Sequence, residues 1–367
     1  MSLVAWCQAA VEAQLPQVCE KGTLRIHALS SCPRPVCSLY PLAHVHPTDA
    51  RADEAVPTWQ EHVIVTAAYR GQDAWRLAYA LELYVYTLPR ERAGIVYVSK
   101  LDSSGYGPPT PSPAVRAHLP PARSLTSTLT AAALHYFLVH DHWTTPIDHI
   151  SLHVLARAQD AYLFPSSHKH PNKRVLSDAA LIRWWQTCLS HVALSVQARA
   201  FYVIPGYSRL DSHAIVPLHH ANDSAVSRAQ WQYGHPYHLA DVPLPLHPCT
   251  WEHRHAATRS EALAARVVPT MIPVFPDDPK GRFVKEQAAT AHEPGASMKP
   301  IPRAASPAHR EAMAERQALE RLSVDGFWER MGFRQECCSG NAVGIFVVST
   351  TRQGGAAPSP TPKARPC

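Results

Sequence analysis

The stretch "WRLAYALELYVYTL", residues 75–88, combines aromatic and aliphatic residues with a repeat of two. Its alternate positions form two faces, one with Leu81, Leu83, Val85 and Thr87, and the other with Glu82, Tyr84 and Tyr86. A repeat of two is typical of a strand whose faces meet different surroundings. The stretch therefore predicts a β-strand.

Three neighbouring runs are also rich in β-branched and aromatic residues and predict further strands. They are "TLRIHAL" at 23–29, "EHVIVTAAY" at 61–69 and "GIVYVSKL" at 94–101. The Gly and Asp of "YRGQDAW" predict a turn between the second of these runs and the 75–88 strand. A mostly antiparallel sheet is the simplest arrangement.

Helices are predicted from the middle of the chain onward. "LTSTLTAAALHYFLVH" and "LSDAALIRWWQTCLSHVALSVQA" read as helices, the second capped by Ser177 or Asp178. "SPAHREAMAERQALERL" predicts another, with Ser306 as cap and Pro307 at its first position. "AFYVIPGY" and "NAVGIFVVST" predict late strands, and the first fifteen residues a short amphipathic helix.

These elements predict one large α/β (α+β) domain over residues 1–350, with a central sheet surrounded by helices. Within it, 103–124 reads as a flexible Pro-rich loop and 285–305 as a linker-like insert. Residues 351–367 read as a disordered basic tail.

Composition narrows the function classes. The 367 residues carry a net charge of +6, which suits an acidic partner, nucleic acid or a phosphate-bearing cofactor, or only a solvated basic surface. Nine cysteines occur without a C-x-x-C pair, so we expect reduced thiols, an intracellular protein and no metal site. No apolar run is long enough to predict a membrane helix or a signal peptide.

Four segments are candidates for chemistry, each with a structural alternative. The turn in "VYVSKLDSSGYG", 96–107, could present backbone N–H groups to a ligand, or Asp102 could simply cap the strand end. Residues 162–185 hold four cations that suit a phosphate-rich ligand or an acidic protein, namely Lys169, Lys173, Arg174 and Arg183. The apolar residues of the same segment favour core positions: Leu163, Phe164, Trp184 and Trp185.

The other two candidates lie further along the chain. The aromatic residues of "AQWQYGHPYHL", 229–239, suit either a channel wall or the core. In "MIPVFPDDPKGRF", 271–283, the paired carboxylates could bind a cation, act as a base or hold a lysine. The alternative is a helix entry, with Asp277 as cap and Pro279 in the first turn.

In this order, "VSKLDSSGY", "YLFPSSHKHPNKRVLSDAALIRWW", "WQYGHPY" and "IPVFPDDPKGRF" resemble a known family. It comprises the fungal histone acetyltransferases of the Ty-transposition-regulator type, which modify lysine 56 of histone H3. The likeness runs from about residue 60 to 348 and includes "SVDGFWERMGFRQE". It implies a fold related to that of the animal CBP-type acetyltransferases.

The resemblance also implies roles for particular residues. Acetyl-CoA would be the cosubstrate, and Asp278 would be the catalytic carboxylate. Trp231 would line the pocket where acetyl group and lysine meet, and Lys280 would be acetylated by the enzyme itself. The residues implied in cofactor binding are Leu101, Asp102, Ser103, Ala114, Val115, Arg116, Val216, Pro217, Leu218 and Trp231.

The implied partners are histone H3, as H3–H4, and acidic histone chaperones, in the nucleus. We expect neither a membrane nor direct sequence-specific binding of nucleic acid. Two alternatives stay open from the residues alone. One is an inactive module that binds acetyl-CoA and a histone chaperone, and the other is a metal-dependent phosphoryl-transfer enzyme using Asp102, Asp277 and Asp278.

Overall fold

The computed structural model describes most of the chain. The described residues are 1–16, 22–37, 39–40, 42, 58–71, 74–89, 92–108, 124–217, 224–236, 271–276, 278–290, 306–333 and 341–352. All statements below concern these residues.

The strands are β1 Thr23–Ser30, β2 Arg34–Val36, β3 Thr58–Arg70, β4 Arg76–Leu88, β5 Ala93–Ser103, β6 His149–Ala156, β7 Arg199–Val203, β8 Gln232–Tyr233 and β9 Gly344–Thr351. The helices are α1 Leu3–Gln14, α2 Leu125–Val139, α3 Asp178–Ser195, α4 Arg209–Ser212, α5 Ser224–Arg228, α6 Pro279–Thr290, α7 Pro307–Glu320 and α8 Val324–Gly332. A 3₁₀ turn covers Ser167–Lys169.

The strands form one sheet in the order β1-β3-β4-β5-β6-β9-β7-β8, and β2 also pairs with β3. The β5–β6 and β7–β8 pairs are parallel, and the other pairs are antiparallel. This confirms the predicted mostly antiparallel sheet. The strands predicted at 23–29, 61–69, 75–88 and 94–101 are β1, β3, β4 and β5, each within a few residues.

The two faces of the sheet carry different layers. Val96, Leu152 and Val348 lie side by side on β5, β6 and β9, and their face packs on α1, α2 and α3 in the largest core. Tyr97 and His153 lie side by side on the opposite face. That face packs on the segment 271–275 beside β4 and β5 and on α6 to α8 near β7 and β9.

Some predicted boundaries were wrong. α6 extends to Thr290, so the start of the 285–305 segment is helical rather than linker-like, because its residues continue the turn begun at Pro279. β9 includes Thr351, which pairs with His149 and so belongs to the sheet rather than to the tail. Ser177 is the N-cap residue of α3 without a side-chain cap bond. Asp178 instead accepts the Ala342 N–H.

Two glycines let α8 dock against the loop after β7. Gly206 has a φ of +81°, a conformation that favours glycine, and its N–H donates to the Trp328 carbonyl at 3.2 Å. A Cβ on Gly332 would lie 2.5 Å from the Gly206 Cα, inside the contact distance of any real side chain. The close approach therefore fixes α8, which carries Trp328.

We predict that Gly332→Ala lowers the free energy of unfolding by about 1–3 kcal/mol, because the added methyl group must push backbone away from backbone. Gly71→Ala is the control, since its Cβ would meet only a Tyr69 ring atom at 3.7 Å. Urea unfolding of both variants measures the difference. Equal stabilities for the two variants would contradict the close approach.

Candidate active site

A buried ion pair stands at the start of α6. Asp278 directly precedes Pro279, and its Oδ1 accepts the Lys280 N–H at 2.9 Å. Its Oδ2 accepts from the Lys280 ammonium. The Asp278 side chain is 0% exposed and that of Lys280 is 3% exposed. The paired carboxylate and ammonium are therefore shielded from water together.

The same contact corrects the predicted helix entry. The helix begins at Pro279, as expected, so the capping position belongs to Asp278 and not to Asp277. Asp277 itself lies outside the described residues. One carboxylate therefore caps the helix and neutralises a lysine, and the positive end of the helix dipole adds to its stabilisation.

An aromatic wall borders the ion pair. Phe275 stacks on Tyr97 with ring centroids 4.2 Å apart, and Tyr86 lies 5.8 Å from Phe275. The Lys280 ammonium is 5.7 Å from the centre of the Phe275 ring, within the range of a cation–π interaction. The site thus holds a lysine ammonium between a carboxylate and an aromatic face.

His153 closes the site from the sheet. Its ring is 5.3 Å from Phe275, and its Nε2 lies 3.0 Å from the Ser151 hydroxyl. Burial, helped by the nearby Lys280 ammonium, lowers the pKa of His153 to about 3. The imidazole is therefore neutral near pH 7 and adds no second positive charge beside Lys280.

Two buried polar atoms nearby have no hydrogen-bond partner among the described residues. They are the Tyr86 hydroxyl and the indole N–H of Trp328. Trp328 stacks on His235, which lies 6.2 Å from His153. Tyr86 borders Phe275, so both atoms flank the ring system around the ion pair and are able to meet a polar ligand atom.

The sheet opens at the end of the parallel pair. Pairing between β5 and β6 stops at Val98 and Val154. Beyond it, β5 stays with β4 as far as Ser103, and β6 stays with β9 as far as Ala156. The carboxyl ends of parallel strands are where such sheets bind ligands. Leu101–Ser103 therefore lie where β5 and β6 separate, which is a place for a ligand to bind.

Asp102 is buried at this place, and both of its carboxylate oxygens accept hydrogen bonds. Its Oδ2 accepts backbone N–H groups at 2.9–3.0 Å. Its Oδ1 accepts the Ser103 N–H at 2.8 Å and the Lys173 ammonium at 2.6 Å. Burial alone would raise the pKa of Asp102, but the Lys173 ammonium and the backbone donors lower it below its usual value. The backbone donors to Oδ2 are Tyr162, Leu163 and Phe164.

This network corrects the interpretation of residues 162–185. Lys173 serves Asp102 and the Ser167 hydroxyl, and Arg183 donates to the Ala214 and Ile215 carbonyls, so neither is a free cation. Leu163 and Phe164 are half-exposed rather than core, because their backbone N–H groups face Asp102. The core prediction holds for Trp185, and Trp184 packs against the core.

The structure separates Trp231 from Asp278. Trp231 is buried in the α3 face, where its indole N–H donates to Ser190 at 2.8 Å and its ring meets Phe346. The aromatic rings that border the Asp278–Lys280 pair lie on the opposite face of the sheet. Trp231 and the Asp278–Lys280 pair thus lie on opposite faces of the sheet, and the expectation that Trp231 lines the pocket where acetyl group and lysine meet stays a prediction.

Of the remaining residues predicted to bind the cofactor, two are described by the structure and four are not. Val216 is a fully buried core residue, and the Pro217 carbonyl accepts the Gln186 amide at 2.9 Å. Ala114, Val115, Arg116 and Leu218 lie outside the described residues.

Sequence reasoning missed Tyr86, Tyr97, His153 and Trp328 as neighbours of the site. Tyr97 and His153 are brought together by the parallel register of β5 and β6. The alternation within β4 had already placed Tyr86 on one face, but only the sheet order shows that Phe275 covers that face.

Comparison with known proteins shows the family of the chain. A family described as the histone acetyltransferase KAT11-type domain matches residues 139–365, well over half of the chain. The chain belongs to the KAT11-type histone acetyltransferase family. The matched region of the KAT11-type domain includes β6, Trp231, Asp278 and Lys280.

Curated relatives carry the same kind of name. The chain is 26% identical over 349 residues to histone acetyltransferase rtt109 of Aspergillus flavus, covering 88% of this chain and 52% of the relative. It is 26% identical over 274 residues to rtt109 of Schizosaccharomyces pombe, covering 74% and 56%. The chain thus spans about half the length of the curated relatives it matches.

The fold resembles that of a solved member. The crystal structure of Rtt109 from Aspergillus fumigatus matches with a TM-score of 0.61 at 22% identity, covering 95% of this chain and 79% of the other. This likeness confirms the α/β fold, and the relatives confirm the predicted resemblance to fungal members of the family.

Two further findings concern only the described parts of the chain. There, no cluster of three or more His, Cys, Asp or Glu side chains is placed to hold a metal ion. No described helix has the length and apolar character needed to cross a membrane.

We predict that Asp102→Asn lowers the free energy of unfolding by about 3 kcal/mol, because it leaves the buried Lys173 ammonium without its carboxylate. Chemical denaturation at pH 7 measures the loss. Asp148→Asn is the control, since its ion pair with Arg92 is largely exposed and contributes less than about 1 kcal/mol.

The direction in which pH changes the stability contributed by Asp102 follows from its pKa. Because the folded pKa of Asp102 is lowered, its stabilisation is present above the unfolded carboxyl pKa of ~4 and is lost as pH falls through the folded value. The stability gap between wild type and Asp102→Asn should therefore shrink only below about pH 4. A gap that shrinks between pH 7 and 5 would contradict this assignment.

Proposed function

We propose that the chain is an acetyl-CoA-dependent lysine acetyltransferase that acts on histone H3. The observation that carries the proposal is the buried Asp278–Lys280 pair beside Phe275, in a member of the KAT11-type family. Lys280 already sits as an acceptor lysine would, with its ammonium against a carboxylate and an aromatic ring. The site thus suits the recognition of lysine.

The chemistry requires a neutral amine. A free lysine has a pKa near ~10.4, so the acceptor must lose a proton before it attacks the thioester. Asp278 would attract the ammonium, orient it and take or pass on that proton. The amine nitrogen then bonds to the thioester carbonyl carbon as the carbon–sulfur bond breaks, and the thiol of CoA leaves with a proton.

Lys280 must yield its place for an acceptor to reach Asp278. Acetylation of Lys280 by the chain itself would remove its charge and release the carboxylate. The neutral state of His153 suits this exchange, because a charged imidazole would repel an incoming ammonium. We therefore assign Lys280 as the site of self-acetylation.

The cofactor arm would lie where β5 and β6 separate beyond Val98 and Val154, against the backbone of Leu101–Ser103. Asp102 would act there as a positioning residue, since its side chain is committed to the loop after β6. Ala114, Val115 and Arg116, with Val216, Pro217 and Leu218, are proposed to complete the cofactor site. Arg116 is the candidate for its phosphates.

The acceptor would be histone H3 within H3–H4, with lysine 56 as the target, in nuclear chromatin assembly. Histones are basic, and so is this chain at +6, so bulk charge opposes a direct encounter. An acidic histone chaperone that carries H3–H4 would resolve the repulsion.

We predict that labelled acetyl-CoA transfers its acetyl group to H3 in an H3–H4–chaperone complex, and that Asp278→Asn reduces the rate by ~10²–10⁴. Asp141→Asn, a substitution at an 86% exposed side chain, should leave the rate unchanged. Cofactor binding without transfer in wild type would favour the inactive module.

A second prediction concerns Lys280. After incubation with acetyl-CoA alone, mass spectrometry of wild type should find acetyl on Lys280, and Lys280→Arg should slow transfer to H3 because its permanent charge keeps Asp278 occupied. Lys169→Arg, at an exposed lysine, is the matched control. If Lys280→Arg transferred acetyl to H3 at the wild-type rate, the proposed replacement of Lys280 by an acceptor lysine at Asp278 would be contradicted.

A further inference from the structure

Two arginines stack on one tryptophan at a corner of the sheet, and we term this group, with the neighbouring Leu77, the Trp75 patch. The guanidinium carbon of Arg25 lies 4.2 Å from the centre of the Trp75 ring, and that of Arg70 lies 5.0 Å from it. Both distances fall within the cation–π range.

The patch is built on three strands. Arg25 on β1 pairs with Ala68 on β3, which pairs in turn with Leu77 on β4. Arg25 and Arg70 are exposed, and Leu77 is 50% exposed. Exposed apolar groups therefore lie among fixed positive charges on a rigid part of the sheet.

The positive charge of the patch is not neutralised by the described residues. None of their ion pairs involves Arg25 or Arg70. The sequence from 62 to 81 holds a single acidic residue, Asp73. Counted against Asp73, Arg25 and Arg70 leave a net charge of +1, which favours an acidic ligand.

The composition favours a protein as that ligand. Arg, Trp and Tyr are the residues most enriched at the centres of protein–protein interfaces, where Lys is depleted, and the patch contains no lysine. A guanidinium stacked on an aromatic ring keeps its edge N–H groups for a carboxylate. The stacking also limits the rotamers of Arg25 and Arg70 before any partner binds, so less entropy is lost on binding.

We propose that the Trp75 patch is a docking site for an acidic segment of a partner protein. The carboxylates of the segment pair with Arg25 and Arg70, and its apolar side chains pack on Trp75 and Leu77. The acidic chaperone proposed above is one such partner. The binding itself does not depend on acetyl transfer, so it is tested separately from activity.

The probe is a fluorescein-labelled peptide of twenty residues rich in glutamate and leucine, titrated with the full chain and followed by anisotropy. Arg25→Gln combined with Arg70→Gln should weaken binding ~10-fold, and the affinity should fall with rising salt. Arg209→Gln combined with Arg310→Gln removes the same charge from exposed positions elsewhere and should leave the affinity within ~2-fold.

Trp75→Ala separates an ordered site from bulk charge, because it changes no charge. It should weaken the peptide ~3- to 10-fold while acetyl-CoA binding, measured on the same samples, stays unchanged. If the double substitution in the patch and the control double substitution weakened peptide binding equally, the proposal would be overturned. So would tighter binding of a 20-base-pair DNA duplex that is lost in the patch variants, since the ligand would then be nucleic acid.

Discussion

A lysine ammonium and an aspartate carboxylate buried together set the main constraint on this protein. Removing either partner would leave an uncompensated charge away from water, so the surroundings must hold Asp278 and Lys280 in register. The start of α6, the stacked rings of Phe275 and Tyr97, and the neutral His153 all serve that end. The same groups hold a lysine of the chain itself, which is the basis of the proposed activity.

The alternation of the sheet decides what can join this site. Residues paired across β5, β6 and β9 share a face, so His153 meets Phe275 while its neighbours Leu152 and Val154 enter the opposite core. Trp231 falls on that opposite side. Aromatic composition alone could not reveal this, because a tryptophan in a Gly/Pro-rich segment suits a channel wall and a core equally well.

Local patterns predicted much of the fold. The alternation in β4 and the Ser306–Pro307 start of α7 follow from neighbouring residues and were confirmed. The turn predicted before β4 lies partly outside the described residues. The β5–β6 pairing and the role of Asp102 depend on contacts between residues about 60 positions apart, which a single sequence does not display. Asp278 and Lys280 were found through family resemblance, and their burial only through the structure.

The central claim is that Asp278 and Lys280 act as one unit in transfer. A double-mutant cycle of single-turnover acetyl-transfer rates measures this, using Asp278→Asn, Lys280→Gln and the combined variant. The account predicts strong non-additivity: the combined variant should be as slow as Asp278→Asn alone, because Lys280 acts only through the carboxylate. Independent effects that multiply in the combined variant would contradict it.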